Sequence, residues 1–343
     1  MKKNNLIYNA GLSHVNLFLI KILGYGYLII LDIRVIMNLS TSNERLKAVK
    51  AIIYRSDNKI LLQKRDQSKE IPYKLKWNFF GGAVEKNENL IDALKRELDE
   101  ELEFKTKYIE KEIFKTSSGA IDLHYFPIRV DENINEFNLH EGLEYKWFSI
   151  TEIIEIDLVP VVYENLIQIV KFFDKINKNY TKDLIKEFES KLITNLKLTK
   201  KNDRVYFSSS ENIDLCRQDI FLFLFLSTIK KIPVSRICLH QNEKSLIHEM
   251  YMFHSEPTNI GPLKQNTFKN ISYHIIEGAL EIELVEENQT KSILLQSTNE
   301  QGVGSLSYRL NPSKYRIVKS TSNYCIFLEI NNGPFKNDDT IWK

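Results

Sequence analysis

Apolar residues recur along this chain in two rhythms, and the change from one to the other divides it. From residue 47 the alternation predicts strands at 47–54 and 59–63, joined by the turn Arg55-Ser56-Asp57-Asn58. A polar loop over 65–76, a strand at 77–80 and a Gly81-Gly82 turn follow. Leu90, Ile91, Leu94, Leu98 and Leu102 fall at helical spacing and predict a helix over 90–104. Strands at 109–115, 120–130 and 143–149 and a helix over 161–175 complete a mixed α/β unit. The Lys/Asn-rich stretch 176–204, helical over Leu184–Leu196, reads as a boundary. Beyond it the runs are short and β-type, at 233–240, 246–254, 271–276, 278–285, 291–296, 305–310, 314–319 and 323–330. Short strands at close spacing, with Gly- and Asn-rich turns between them, predict a sandwich or small barrel. The expected domains are therefore an extension over 1–42, an α/β domain over 43–176, a partly helical linker over 177–204 and a β domain over 205–343.

The most apolar stretch, 15–37, is interrupted by Lys21, Asp32 and Arg34, which leaves ten uncharged residues at 22–31. A membrane span needs about 20, so membrane association is not expected. A signal peptide lacks its small-x-small cleavage site here. The segment reads as an accessory element or as an upstream extension without function, with Met37 an alternative start. Composition adds three exclusions. Among 343 residues, 47 basic and 45 acidic side chains give a net charge of +2, no general field for nucleic acid. Cys216, Cys238 and Cys325 have no CxxC spacing, so neither a disulfide framework nor a cysteine zinc site is expected. Three buried thiols in a reducing cytoplasm fit that usage.

The neutral total hides one local excess. Segment 85–103 holds eight acidic residues against Lys86, Lys95 and Arg96, a net −5. At ~100° per residue, Glu97, Glu100 and Glu101 share one sector of the helix and repel one another. A hard divalent cation on oxygen ligands would offset that. Taken alone, an acidic run is a solvated face.

The surrounding residues change that reading. The segment runs Gly82-(x5)-Glu88-(x7)-Arg96-Glu97-Leu98-x-Glu100-Glu101-x-Glu103-Phe104. This resembles the Nudix box, G-x5-E-x7-R-E-U-x-E-E-x-G-U, at every fixed position except the last glycine, where Glu103 stands. The flanks LLQKRD and WNFFGG agree, although the family usually has proline at Phe80, and the resemblance covers about 45–176. It implies an α/β/α sandwich that hydrolyses the diphosphate linkage of a nucleoside diphosphate derivative with Mg²⁺, or Mn²⁺ in its place. It also implies that Glu97, Glu100 and Glu101 bind the metal with the carbonyl of Gly81, and that Glu88 and Arg96 form a structural ion pair. Gly81 and Gly82 let the backbone approach phosphate or metal without a Cβ in the way. Asn89 with Asp92 suits the helix N-terminus, and Leu94 and Leu98 anchor it. Glu141 is the candidate for a further catalytic glutamate, with Glu144 in reserve; the alternative for Glu141 is an ordinary loop acid. Arg65 resembles a phosphate-contacting position, against a surface ion pair. At Glu103, where glycine would end the helix in a left-handed conformation, a cost or a shifted cap is expected.

The stretch from about 236 to 335 is similar to the small WbuC-type cupins, a double-stranded β-helix barrel. Arg236-x3-His240, Ile247–His254, the Pro262 turn, HIIEGALEIEL, Pro312 and LEINNGPF carry that resemblance. The cupin metal positions fall on Pro262-Leu263-Lys264-Gln265, Ile271 and a site near Ile317, which cannot ligate a metal, so no metal is expected in this domain. His248 and His254 share a face with Met250 and Met252, and His240 and His274 sit on neighbouring runs. They read as hydrogen-bonded core or rim residues, or as a pocket that keeps sugar- or nucleotide-binding capacity. Tyr273, Tyr308 and Tyr315 could stack on a ring or simply pack.

The expected partner is a small-molecule nucleoside diphosphate, a nucleotide sugar ahead of a nucleoside triphosphate; a homodimer is left open. Two alternatives remain: a nucleotide-binding sensor module, which would not need all three glutamates, and a cupin-type sugar-modifying enzyme of surface polysaccharide synthesis.

Overall fold

The computed structural model describes residues 45–67, 71–118, 120–131, 137–265, 270–285, 290–297, 304–310, 313–334, 336 and 339–343. The apolar stretch 15–37 and Pro312 lie outside these residues. The chain divides into two compact units, one running up to Tyr54 and resuming over Leu61–Lys146, the other made of Arg55–Ile60 and Trp147–Lys343.

The first unit is built on a mixed sheet. Its strands are β1 (Leu46–Tyr54), β2 (Ile60–Lys64), β3 (Trp77–Asn78), β4 (Phe114–Ser118), β5 (Ile121–Arg129) and β6 (Glu144–Phe148). The order is β3-β2-β1-β5-β4, with β6 pairing β2 and β1 parallel to β5. Helix α1 (Leu90–Leu102) packs against β1 through Ala93, Leu94, Leu98 and Leu102, all buried. Its first turn is capped as expected: the side-chain Oδ1 of Asn89 accepts the N–H groups of Ile91 at 3.0 Å and Asp92 at 2.9 Å. At its other end Glu103 takes the left-handed conformation (φ 51°) with no displacement of the cap. Its carboxylate accepts from Asn138 Nδ2 at 2.6 Å and pairs with His140 Nε2 at 2.7 Å. Those contacts hold in place a backbone that glycine would adopt without strain.

In the second unit α2 (Ile150–Ile153) leads to three longer helices, α3 (Pro160–Ile176), α4 (Tyr180–Asn195) and α5 (Arg217–Ile229). Two strands, β7 (Leu198–Asn202) and β8 (Val205–Ser208), precede α5. The remaining strands are β9 (Val234–Cys238), β10 (Ile247–His254), β11 (Thr258–Gln265), β12 (Ile271–Glu277), β13 (Ala279–Val285), β14 (Thr290–Gln296), β15 (Ser307–Leu310), β16 (Tyr315–Ser320), β17 (Cys325–Asn332) and β18 (Thr340–Trp342). They form a seven-stranded sheet, β15-β12-β17-β10-β9-β8-β7, and a five-stranded sheet, β14-β13-β16-β11-β18. Of the sandwich or small barrel expected, the chain forms two separate sheets, and among the described residues no closed barrel is found. The Pro262 turn is corrected, because Gly261-Pro262 sits inside β11 at a shift of register between Ile260 and Leu263. Helix α5 covers one face of the larger sheet, where Phe223 meets Phe253 at 4.6 Å between ring centroids. The other face shares a buried core with the smaller sheet, with Met250, Met252, Tyr273 and Phe327 meeting Ile282 and Val318. Of the three free cysteines, Cys238 and Cys325 are buried and Cys216 is exposed, contrary to the expectation of three buried thiols. No helix of the described residues is long and apolar enough to cross a membrane.

Candidate active site

The three motif glutamates lie within the first unit on α1, and two of them, Glu97 and Glu101, meet the Gly81-Gly82 loop. After β3 the chain runs along β1, where Ala51 N–H donates to Phe80 O at 3.0 Å and Val49 N–H to Gly82 O at 2.9 Å. Between those bonds Gly81 has φ +106°, and a Cβ there would stand 2.4 Å from Val49 O. Only glycine fits that bend. At Gly82 the crowding atom is functional, since a Cβ would stand 2.6 Å from both oxygens of Glu97.

The three glutamates grade from core to surface. Glu101 is buried: its Oε1 accepts from Gln63 Nε2 at 2.8 Å and its Oε2 from Gly81 N–H at 2.7 Å. Glu97 is half-buried and Glu100 exposed. Burial pushes the Glu101 carboxyl above the usual range, and the Glu97 charge adds to that, against the Lys50 charge and the two hydrogen bonds. Burial raises Glu97 in the same way, against Arg96 and Lys50.

Arg96 and Glu88 form a fork. Arg96 Nε donates to Glu88 Oε1 at 3.0 Å and Nη2 to Glu88 Oε2 at 3.1 Å and to Ala83 O at 3.0 Å. Its Nη1 reaches Glu97 at 2.8 Å and Glu100 at 3.0 Å. Its bond to Arg96 lowers the Glu88 carboxyl, and Arg96 is raised in turn. Two parallel N–H···O bonds fix both position and orientation, so the pair ties the loop to the helix.

Arg65, at the end of β2, donates from Nε to Pro72 O at 3.0 Å. Burial lowers it, while the charges of Glu101 and Glu141 hold it up, so all three are electrostatically coupled. The Glu141 loop is tied down on both sides, by His140 N–H on Glu101 O and Leu143 N–H on Lys64 O, each at 2.9 Å. Glu141 is exposed, and Glu144 pairs with Lys64 at 3.1 Å.

Two site residues escape the sequence reading. Lys50 donates to Gly81 O, and burial lowers its pKa against the charge of Glu101. Gln63 holds Glu101. The available signal was a polar residue within each apolar strand, in AVKAII and ILLQK.

Among the described residues no three His, Cys, Asp or Glu side chains form a ready metal cage; Arg96 bridges Glu97 and Glu100, and Lys50 holds the Gly81 carbonyl. The donor chemistry nevertheless fits a hard divalent cation. All donors are oxygens, and burial raises two of the carboxyls in spite of the nearby charges of Lys50 and Arg96, a desolvation cost that a bound cation would offset.

Residues 44–168 match the family described as NUDIX domain. This stretch is a Nudix domain. It spans the motif, the glycine loop and the Glu141 loop, and it is the domain of a Nudix pyrophosphohydrolase. Among solved structures, the chain is similar to the MutT protein from Methanosarcina mazei Go1, with 19% identity, covering 40% of this chain and 99% of that one, at TM-score 0.34. The E. coli ORF135 protein shows 28% identity over 34% of this chain and 82% of its own, at TM-score 0.28. A C. elegans Ap4A hydrolase shows 20% identity over 38% and 98%, at TM-score 0.32. With scores this low, the Nudix assignment rests on the family match. No curated protein matches the chain.

Proposed function

We propose that the Nudix domain hydrolyses the diphosphate linkage of a nucleoside diphosphate derivative, a nucleotide sugar or a nucleoside triphosphate, with Mg²⁺ or Mn²⁺. One observation carries this reading: two of the family's three glutamates close on the Gly81-Gly82 loop, Glu101 accepting from the Gly81 N–H at 2.7 Å and Glu97 standing where a Cβ on Gly82 would come within 2.6 Å of its oxygens. Glu97, Glu100, Glu101 and the Gly81 carbonyl would hold the metal. A bound divalent ion neutralises charge on the diphosphate oxygens and acidifies water.

The chain's own residues supply the rest. Gln63 and the Gly81 N–H fix the orientation of Glu101, so its carboxylate needs little reorganisation. The Glu88–Arg96 fork keeps the loop at its distance from the helix. Arg65 would contact a phosphate oxygen, its charge held up by Glu101 and Glu141. Glu141 takes the proton of the attacking water; its exposure keeps it open to solvent. Residues 205–343 are read as a cupin-like domain that lacks the family's metal ligands, joined through 177–204.

The test is release of phosphomonoester products by the full-length protein from nucleotide sugars and nucleoside triphosphates, with and without Mg²⁺. Metal-dependent turnover of one of them is expected. Absence of turnover on every substrate would overturn the reading.

A further inference from the structure

The second unit contains a cavity of about 300 Å³ between its two sheets, and its wall carries buried polar atoms without hydrogen-bond partners among the described residues. Arg316 in β16 is 2% exposed. Its Nε donates to Tyr273 Oη at 3.0 Å, and its Nη1 has no partner among the described residues. Arg236, from β9, lines the same cavity and leaves Nε without a partner. His254 is fully buried, with Nδ1 on Thr258 Oγ1 at 2.6 Å and Nε2 unpartnered.

Two acids line the same cavity, Glu329, which accepts from Asn331 Nδ2 at 2.7 Å, and Glu243, which pairs with Lys201; among the described residues neither bonds Arg316 Nη1 or Arg236 Nε. Burial lowers His240 and His254 to about 4, so both imidazoles are neutral at neutral pH. They can donate a hydrogen bond without adding charge. A buried guanidinium nitrogen left without an acceptor is costly, and an oxygen-rich ligand in the adjoining space would supply the acceptor.

The strand period delivers this arrangement. In β16 the inward positions are Arg316 and Val318, while Tyr315 and Ile317 alternate away from them. The cupin resemblance puts its late ligand position near Ile317; the residue that faces the cavity is its neighbour Arg316. Met250, Met252 and Phe327 give the remaining wall an apolar character suited to a carbon skeleton.

We propose that this cavity is a binding site for a small organic anion of monosaccharide size, whose carboxylate or phosphate seats on Arg316 with Arg236 as the second cation. The volume lies at the lower end of small-molecule sites. The site is independent of the Nudix reading and of its glutamates.

Hydrogen–deuterium exchange on the full-length protein tests it, read on the segments 247–254 and 315–320. The probes are glucuronate, glucose 6-phosphate, inorganic phosphate and uncharged glucose. Saturable protection of both segments by at least one sugar anion, and none by glucose, is expected. Arg316→Gln should weaken that protection at least tenfold, and Arg236→Gln should weaken it even if the first variant folds poorly. Protection by glucose equal to that by the anions would overturn the proposal. So would equal protection by inorganic phosphate, no protection by any anion, or protection undiminished in a folded Arg316→Gln.

Discussion

Replacing Gly82 by alanine separates catalysis from stability. The added Cβ would sit 2.6 Å from Glu97 Oε1 and Oε2 and 2.7 Å from Cδ. Ordinary contact begins near 3.4 Å, so the carboxylate must retreat by about 0.8 Å. Glu97 is the far end of a flexible side chain, and Gly82 has no left-handed φ, so the fold should barely register the change. A displacement approaching 1 Å at a reacting group costs about 10²-fold in rate. The expected result for Gly82→Ala is kcat reduced about 100-fold, with a thermal midpoint within a few degrees of wild type. Gly81→Ala makes the contrast. Its Cβ meets the backbone oxygen of Val49 at 2.4 Å from a φ of +106°, which costs stability by about 1–3 kcal/mol or more. Steady-state hydrolysis and calorimetric unfolding of both variants measure the two effects. A Gly82→Ala enzyme with wild-type kcat would refute the claim that Glu97 must stand where it stands.

Three further outcomes follow from the same geometry. Glu141→Gln should lower kcat about 100-fold or more, whereas Glu144→Gln, which loses only an exposed pair with Lys64, should stay near wild type; equal effects would remove Glu141 as the base. Arg96→Lys loses the two-pronged contact with Glu88 and should destabilise the protein by about 1–2 kcal/mol in denaturant unfolding, and an unchanged midpoint would contradict the fork's role. Glu97 and Glu101 have folded pKa values above their ordinary 4.5, so they hold protons more tightly folded than unfolded. Their contribution favours the fold at low pH and is lost as pH rises above 4.5 through the raised values; metal-free protein should lose stability over that window, and Glu101→Gln should flatten the loss. A rise in stability there that Glu101→Gln abolishes would reverse the argument.

The sequence was most legible where one residue type can do one job. Asn89 as cap and Leu94 and Leu98 as anchors could be read from spacing, because helix geometry turns spacing into proximity; the Glu88–Arg96 pair followed only from the resemblance, because Glu88 precedes the helix and the loop brings it to Arg96. Lys50 and Gln63 were not, since their contact with the Gly81–Glu101 loop depends on which strands become neighbours. Helix α5 was missed for a different reason: Ile220 through Leu226 is buried nearly all round, so no 3.6-residue rhythm marks it. The expected strand at 109–115 forms later, at Phe114–Ser118, where pairing with β5 fixes it. In the β unit alternation put His248, Met250, Met252 and His254 on one face, as the cavity shows. Arg316 drew no notice because one buried arginine looks, in sequence, like any surface one.

Turnover as a function of Mg²⁺ concentration, compared between wild type and Glu100→Gln, tests the central claim most directly. Glu100 is exposed and its carboxylate accepts from Arg96 at 3.0 Å, so the variant should fold as wild type does. The account predicts that hydrolysis in the wild type requires Mg²⁺ and that Glu100→Gln shifts the requirement to higher concentration and lowers the plateau. Hydrolysis indifferent to Mg²⁺, or a Glu100→Gln curve superimposable on that of the wild type, would contradict it.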